Sequence, residues 1–173
     1  EQAARSLLDL GTERPSGTAL VREMAPEGMG DVQAVLEVIT DDMPFLVDSV
    51  TNALSAEGRS VHLVIHPQLV VRRDAEGRLV EILDLDVDEH RPADAVAESW
   101  MWIELERDYA SDGLPAVEHR VLSVLRDVRV AVRDWRAMRS KAVILAEEIV
   151  AFPPVGLPPE MIDEGVHLLR WLA

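Results

Sequence analysis

The chain has 173 residues, of which 17 are Lys or Arg and 32 Asp or Glu, a formal charge of −15, with 48 % hydrophobic residues. That composition is globular, and a chain of this size buries roughly 70 % of its unfolded surface, so no disulfide or structural metal is needed for stability. The absence of Cys excludes a disulfide framework, a thiolate zinc site, an iron–sulfur cluster and a cysteine nucleophile, and the negative charge disfavours nucleic acid and anionic membranes as partners.

Residues 1–10 read as a short helix, apolar at Ala3, Ala4, Leu7, Leu8 and Leu10, with Gly11 as its stop. A polar linker runs to Thr18, an extended stretch to Met24, and a loop from Pro26 to Gly30. The branched run 33–40 is the first clear strand. A helix follows, with Asp42 as cap, Pro44 in its first turn, Leu46, Val50 and Leu54 as its buried face and Gly58 as its end. Residues 61–72 predict one long strand, with Val61, Leu63, Ile65, Leu69 and Val71 on one side. The turn 73–78 pairs it with 79–85 as an antiparallel hairpin. Acidic sequence over 86–98 reads as exposed. Residues 99–106 alternate once more, with Trp100, Trp102, Glu104 and Glu106 on a partly wet face. From Leu114 the period becomes 3.6, and it would run as one very long helix unless it bends near 134–136. The proline-rich loop 152–159 ends it, and a last helix carries Met161, Ile162, Val166, Leu169 and Leu172.

These elements describe an α+β sandwich, a mostly antiparallel sheet with helices on one face, followed by a helical C-terminal extension. The expected organisation is an N-terminal helix and extended linker (1–30), a sheet with its first helix (31–112), a long, bendable helix packing on the sheet (113–152) and the start of a linker helix (153–173). No stretch reaches the ~18 apolar residues of a membrane span and no signal peptide is present, which predicts a soluble, cytoplasmic chain. Glu1 in place of Met, and a final helix without a stop signal, lead us to expect a piece of a longer polypeptide.

The chemistry legible in the sequence is sparse. Asp84-Leu-Asp86-Val-Asp88 imitates the start of a calcium loop but has Glu89 where a Gly is needed and Ala95 where the bidentate Glu belongs. His62 and His66 share a strand face ~13 Å apart, too far for one metal, and His90, His119 and His167 have no partner at ligand spacing, so no metal site is expected. Gly28-Met-Gly30 precedes a strand where a dinucleotide fingerprint would follow one. No Ser lies in a nucleophile-elbow context, so no catalytic residue is assigned. RNA binding would need basic residues with exposed Phe or Tyr on the sheet strands, which carry none. What remains is the strand-to-helix junction. Thr40, Asp41, Asp42, Met43, Pro44, Phe45 and Asp48 are the candidate ligand-binding residues, because a helix start offers free N–H groups to an anionic group such as an amino acid's carboxylate. The competing reading is that Asp42 uses those groups itself as a cap.

Strand, Asp42-Met-Pro44 and an apolar helix, Gly58 and a hairpin resemble the ACT domain, a ferredoxin-like regulatory module that often binds amino acids, with Phe45 standing where that family has Gly. A narrower set of strings resembles the N-terminal region of the large bacterial NAD-specific glutamate dehydrogenases. They are Val38-Ile-Thr-Asp-Asp-Met-Pro-Phe-Leu-Val-Asp-Ser-Val50, Ile65-His-Pro67, Val71-Arg-Arg-Asp74, Glu98-Ser-Trp-Met101 and Leu169-Arg-Trp-Leu172. This resemblance implies a parent that interconverts L-glutamate and 2-oxoglutarate, with several ACT-like domains ahead of a distant catalytic domain. NAD would be the parent's cofactor, with none in this segment. The implied partners are the parent's other domains and the subunits of a homo-oligomer, together with an amino-acid effector. The bulk of Phe45 ranks assembly above sensing. The alternatives are an autonomous amino-acid sensor, tested by calorimetry, and an enzyme built on the sheet, which would need converging Arg, Asn or His groups.

Overall fold

The computed structural model describes residues 1–25, 32–87, 89–106 and 115–173. The expected loop 26–30 with its Gly28 and Gly30, as well as Asp88 and Leu114, lies outside the described residues. The chain divides into two compact units, Glu1–Val128 and Arg129–Ala173.

In the first unit a short helix, α1 (Gln2–Leu10), leads to β1 (Leu20–Met24) and β2 (Val32–Asp41). Helix α2 (Leu46–Ala56) follows, then β3 (Val61–Ile65), β4 (Gln68–Arg73), β5 (Leu79–Leu83) and β6 (Ala95–Glu106), with α3 (Pro115–Arg133) entered at the end. The described strands form one sheet in the order β1-β2-β6-β4-β5, every pairing antiparallel, with β3 joining β6 on the flank that β4 also occupies. Strands β2 and β4 therefore run parallel to each other on either side of β6, with α2 in the connection between them. That split β-α-β arrangement is the ferredoxin-like core of an ACT-type α+β fold.

Register explains burial. Across β2 and β6, Val35, Glu37, Ile39 and Asp41 share a face with Glu104, Trp102, Trp100 and Glu98, while Leu36, Val38 and Thr40 share the other with Ile103, Met101 and Ser99. Both faces are dry, because the side chains of Val35, Leu36, Val38, Ile39, Trp100, Met101, Trp102 and Ile103 are all buried. Helix α1 lays Leu7 against Val35, Ile39, Trp100 and Trp102 on the first face. Rows of α2 (Leu46, Val50, Ala53, Leu54) and of α3 (Val117, Val121, Leu125, Val128) are buried as well. The fold is the expected antiparallel sheet with helices, and α1 covers part of the face that carries Trp100 and Trp102. The two tryptophans expected on a partly wet face are buried for that reason.

Three local expectations give way to specific interactions. Gly11 adopts an ordinary right-handed φ, and its missing side chain matters for space instead: a Cβ there would lie 2.4 Å from the Trp100 ring. The long strand over 61–72 is broken at His66-Pro67, where the Pro67 carbonyl accepts the Trp100 N–H, and a register shift between Val61 and Leu63 removes Val61 from the row. Strand β6 begins at Ala95, so Ala95 and Glu98 are buried inside a segment expected to be exposed. Glu118 of α3 accepts the Glu23 N–H, which covers an open edge of β1.

In the second unit, beyond the end of α3, the chain breaks at Asp134 and continues as α4 (Trp135–Ala151) and α5 (Pro159–Leu172). These form an antiparallel hairpin around Ala146 and Val166, with Arg139 of α4 donating to the Ala173 carbonyl. No helix among the described residues is long and apolar enough to cross a membrane.

Candidate functional site

The junction after β2 does not gather its residues into one pocket. Strand alternation sends the two carboxylates to opposite faces. Asp41 turns to the α1 side of the sheet, toward Arg14 (2.7 Å). Asp42 turns to the other side, where its Oδ1 accepts the Ser99 hydroxyl at 2.6 Å and the Gln68 side-chain amide at 2.8 Å, while its backbone N–H donates to the Ala97 carbonyl. Asp42 is therefore not the helix cap. Helix α2 starts only at Leu46, and its N-cap is Phe45, with φ 68° and no side-chain capping bond. A non-glycine residue in the left-handed region costs about 1–3 kcal/mol, so the backbone at Phe45 holds a conformation that favours glycine. The Phe45 ring is 61 % exposed and does not plug the junction. Thr40 is buried, Met43 is half-buried, and Pro44 and Asp48 face outward, Asp48 in the first turn where a negative charge suits the helix dipole.

His66 sits at the β3–β4 break. Burial lowers its pKa, the charge of Asp42 opposing, and its Nε2 finds no hydrogen-bond partner among the described residues. His62 lies 3.8 Å from Glu106 on the surface, and no group of three metal-ligating side chains occurs among the described residues.

The strongest polar constellation is elsewhere. Arg14, in the segment expected to be a plain polar linker, is 1 % exposed and inserts beside Glu98, which is fully buried. Its Nε and Nη2 donate to Glu98 Oε1, Nη2 also to Asp41, and Nη1 to the Thr18 carbonyl. Arg73 grips the same carboxylate from the other side, at 2.6 Å from Nε to Oε1 and 2.9 Å from Nη2 to Oε2, and its Nη1 donates to the carbonyls of Gly11 and Gly77. Trp100 Nε1 supplies a further bond to Glu98 Oε2. Burial pushes the Glu98 pKa up, but hydrogen bonds from Arg73 and Arg14 and the charge of Arg14 outweigh it, leaving the group below its ordinary value. Backbone bonds from Arg14 to Gly77 and from Leu79 to Thr12 complete a strap, residues 11–18, tied to the β4–β5 hairpin. A second buried carboxylate, Glu37, is held by Arg22 at 2.6 Å, and Arg22 also reaches Asp9 and the Ser6 carbonyl of α1.

The signal for this network was faint but present. Glu98 is in phase with Trp100 and Trp102 on β6, and Arg14 is a long cation stranded among Gly, Pro, Ser and Thr. Chemically, the network is an anchor. A carboxylate held by two guanidinium groups is a poor proton carrier near neutral pH. Beside it lies a cleft of about 180 Å³ whose walls include Arg14, Asp41 and Arg73, so Asp41 at the end of β2 borders both the network and the cleft.

The sequence profile described as "Glutamate dehydrogenase, ACT1 domain" matches residues 2–121. Proteins named NAD-specific glutamate dehydrogenase are similar to this chain along most of its length. The one from Halomonas elongata is 34 % identical over 160 residues, covering 92 % of this chain and 10 % of the relative. The one from Pseudomonas aeruginosa is 35 % identical over 148 residues, 84 % and 9 % respectively. The one from Mycobacterium tuberculosis is 29 % identical over 167 residues, 94 % and 10 %. The chain thus spans about a tenth of the length of the curated relatives it matches.

Proposed function

We propose, because the chain belongs to the NAD-specific glutamate dehydrogenase family as its ACT1 domain, that it is a non-catalytic regulatory and assembly domain of such an enzyme. The parent converts L-glutamate, NAD⁺ and water to 2-oxoglutarate, ammonium, NADH and a proton. It does so in the cytoplasm, with NAD held by the rest of the polypeptide. The observation that carries the reading is how the buried charge is used. Arg14, Arg73 and Glu98 bind one another and the strap, and Glu37 binds Arg22, so these ionisable groups hold secondary elements together instead of facing a substrate.

Assembly is supported by the surfaces left over. Among the described residues strand β5 pairs on one side only and exposes Val80 and Ile82, and the α4–α5 hairpin exposes Phe152 and Trp171. A hairpin of two helices cannot bury all its apolar positions, so such residues are suited to neighbouring domains or subunits. Regulation would work through differential contact: whatever binds one conformation of the parent better shifts it toward that conformation, and the β2–α2 junction is where sheet, helix and strap meet.

Deleting this segment from the full-length dehydrogenase tests the reading. We expect smaller assemblies in sedimentation, or a lost response to amino-acid effectors, while NADH production per subunit stays within a few-fold. Loss of turnover by orders of magnitude, with NAD binding intact, would refute it.

A further inference from the structure

We propose that the α4–α5 hairpin pairs with the same hairpin of a second copy of this chain, antiparallel, as a four-helix bundle. The proposal rests on the assembly reading above and gives it a partner, a face and a register.

The face follows from helical spacing. Val166 of α5 is buried, with Ile162 and Leu169 half-buried beside it, and this row joins α5 to α4. At about 100° per residue, Met161, Gly165, Leu168 and Leu172 fall on a second stripe of α5, roughly a quarter turn from that row. Met161, Leu168 and Leu172 are 58 %, 56 % and 49 % exposed. A Cβ on Gly165 would meet nothing within 4 Å, so the stripe has an open hollow at its middle. Two apolar rows suit a helix covered on two sides, and the hairpin covers one.

The register follows from pairs that one two-fold axis satisfies together. Across such an axis, residues of antiparallel helices meet when they share a midpoint in the sequence. Met161 with Leu172 and Gly165 with Leu168 both have theirs between Val166 and His167. Each copy's Leu168 therefore enters the hollow at the other's Gly165. On α4, Lys141 and Glu148 flank the same side of the hairpin, both exposed, with their midpoint between Ile144 and Leu145. Within one chain they lie about 10 Å apart along the helix, too far to pair. Across the axis each faces the other's opposite charge. The two midpoints stand close to one height, each about six residues in from the contact of Arg139 with Ala173.

Charge over the whole hairpin selects the same partner. Every Lys and Arg of residues 135–173 lies in 135–146 or 165–173, toward the open end, and every Asp and Glu in 147–164, around the tip. An antiparallel second copy sets basic end against acidic tip twice, whereas a parallel one sets like against like. A surface of uniform charge would be repelled at one end.

Sedimentation of the 173-residue chain over a concentration series decides it, and we expect a monomer–dimer equilibrium. Leu168→Glu, and Gly165→Leu, which fills the hollow, should each weaken the dimer about tenfold or more with helix content unchanged by circular dichroism. Lys141→Glu should weaken it severalfold, and adding Glu148→Lys should restore it, because that pair forms only between copies. The chain has no Cys, so disulfide trapping in air reads the register. Met161→Cys mixed with Leu172→Cys should cross-link. Met161→Cys alone should not, since the two copies of that position stand about 16 Å apart along the bundle, beyond disulfide reach. A chain that stays monomeric at every concentration, or Met161→Cys cross-linking to itself, overturns the proposal. The assembly reading survives that result if deleting the domain from the full-length parent still yields smaller assemblies. It fails as well if the deletion changes neither assembly nor effector response.

Discussion

Replacing Glu98 by Ala is expected to destabilise the sheet-bearing unit by about 3–5 kcal/mol, the range for removing one partner of a buried ion pair. The loss is large because Glu98 satisfies three side chains at once. Without it Arg14 retains Asp41 and a carbonyl, Arg73 retains two carbonyls, and Trp100 Nε1 has no acceptor, all in a water-poor setting. Against a total stability of about 5–15 kcal/mol, the melting midpoint should fall by about 10 °C. The pH dependence gives a separate signature. Because the folded-state pKa of Glu98 is depressed, its contribution is fully present above the unfolded carboxylate value and is lost as pH falls through the folded one. Thermal melts from neutral to acidic pH should show the native chain losing stability in that window. Glu98→Ala should start lower and lose less. Equal melts for the two chains at neutral pH would show that the ion network stabilises nothing.

The second large effect is expected at Trp100. Its ring packs with Leu7, Val35, Ile39 and Trp102 and touches the strap at Gly11 so closely that no side chain fits there. Trp100→Ala removes that apolar contact, opens a cavity beneath α1 and deletes a donor to Glu98; large-to-small core changes of this kind cost about 3–5 kcal/mol. The loss should be local before it is global. Hydrogen exchange is expected to accelerate first in α1 and residues 11–18, and only later in β2 and β6, which keep their other face covered. Uniform acceleration across the sheet would mean that α1 is not held chiefly by this ring.

Much of the fold was legible because periodicity tracks burial. Residues 33–40 and 99–106 alternate or run apolar as core strands must, and Leu46, Val50 and Leu54 fall on one helical face that the structure buries. Local pattern failed where long-range contact decides. The break at His66-Pro67 is a hydrogen bond to Trp100, far along the chain. Asp42 looked like a cap because Asp, x and Pro before an apolar helix usually make one; Ser99 and Gln68, brought alongside by strand pairing, compete for its carboxylate and win. The junction residues were found as a segment, yet alternation splits Asp41 from Asp42, and that consequence was available from the sequence alone. The strap was not. Arg14 reads as an exposed cation in a linker until Glu98 and Asp41, distant in sequence, are placed beside it.

On the proposed reading the buried charges of this domain serve structure and regulation and take no part in the reaction. Steady-state kinetics of the full-length dehydrogenase carrying Glu98→Gln decide between the two roles. We predict kcat and KM for glutamate and NAD within a factor of about two of the native enzyme, together with a lower melting midpoint. A fall in kcat of about a hundredfold or more, the scale of losing an acid–base group, with assembly and melting unchanged, would contradict it.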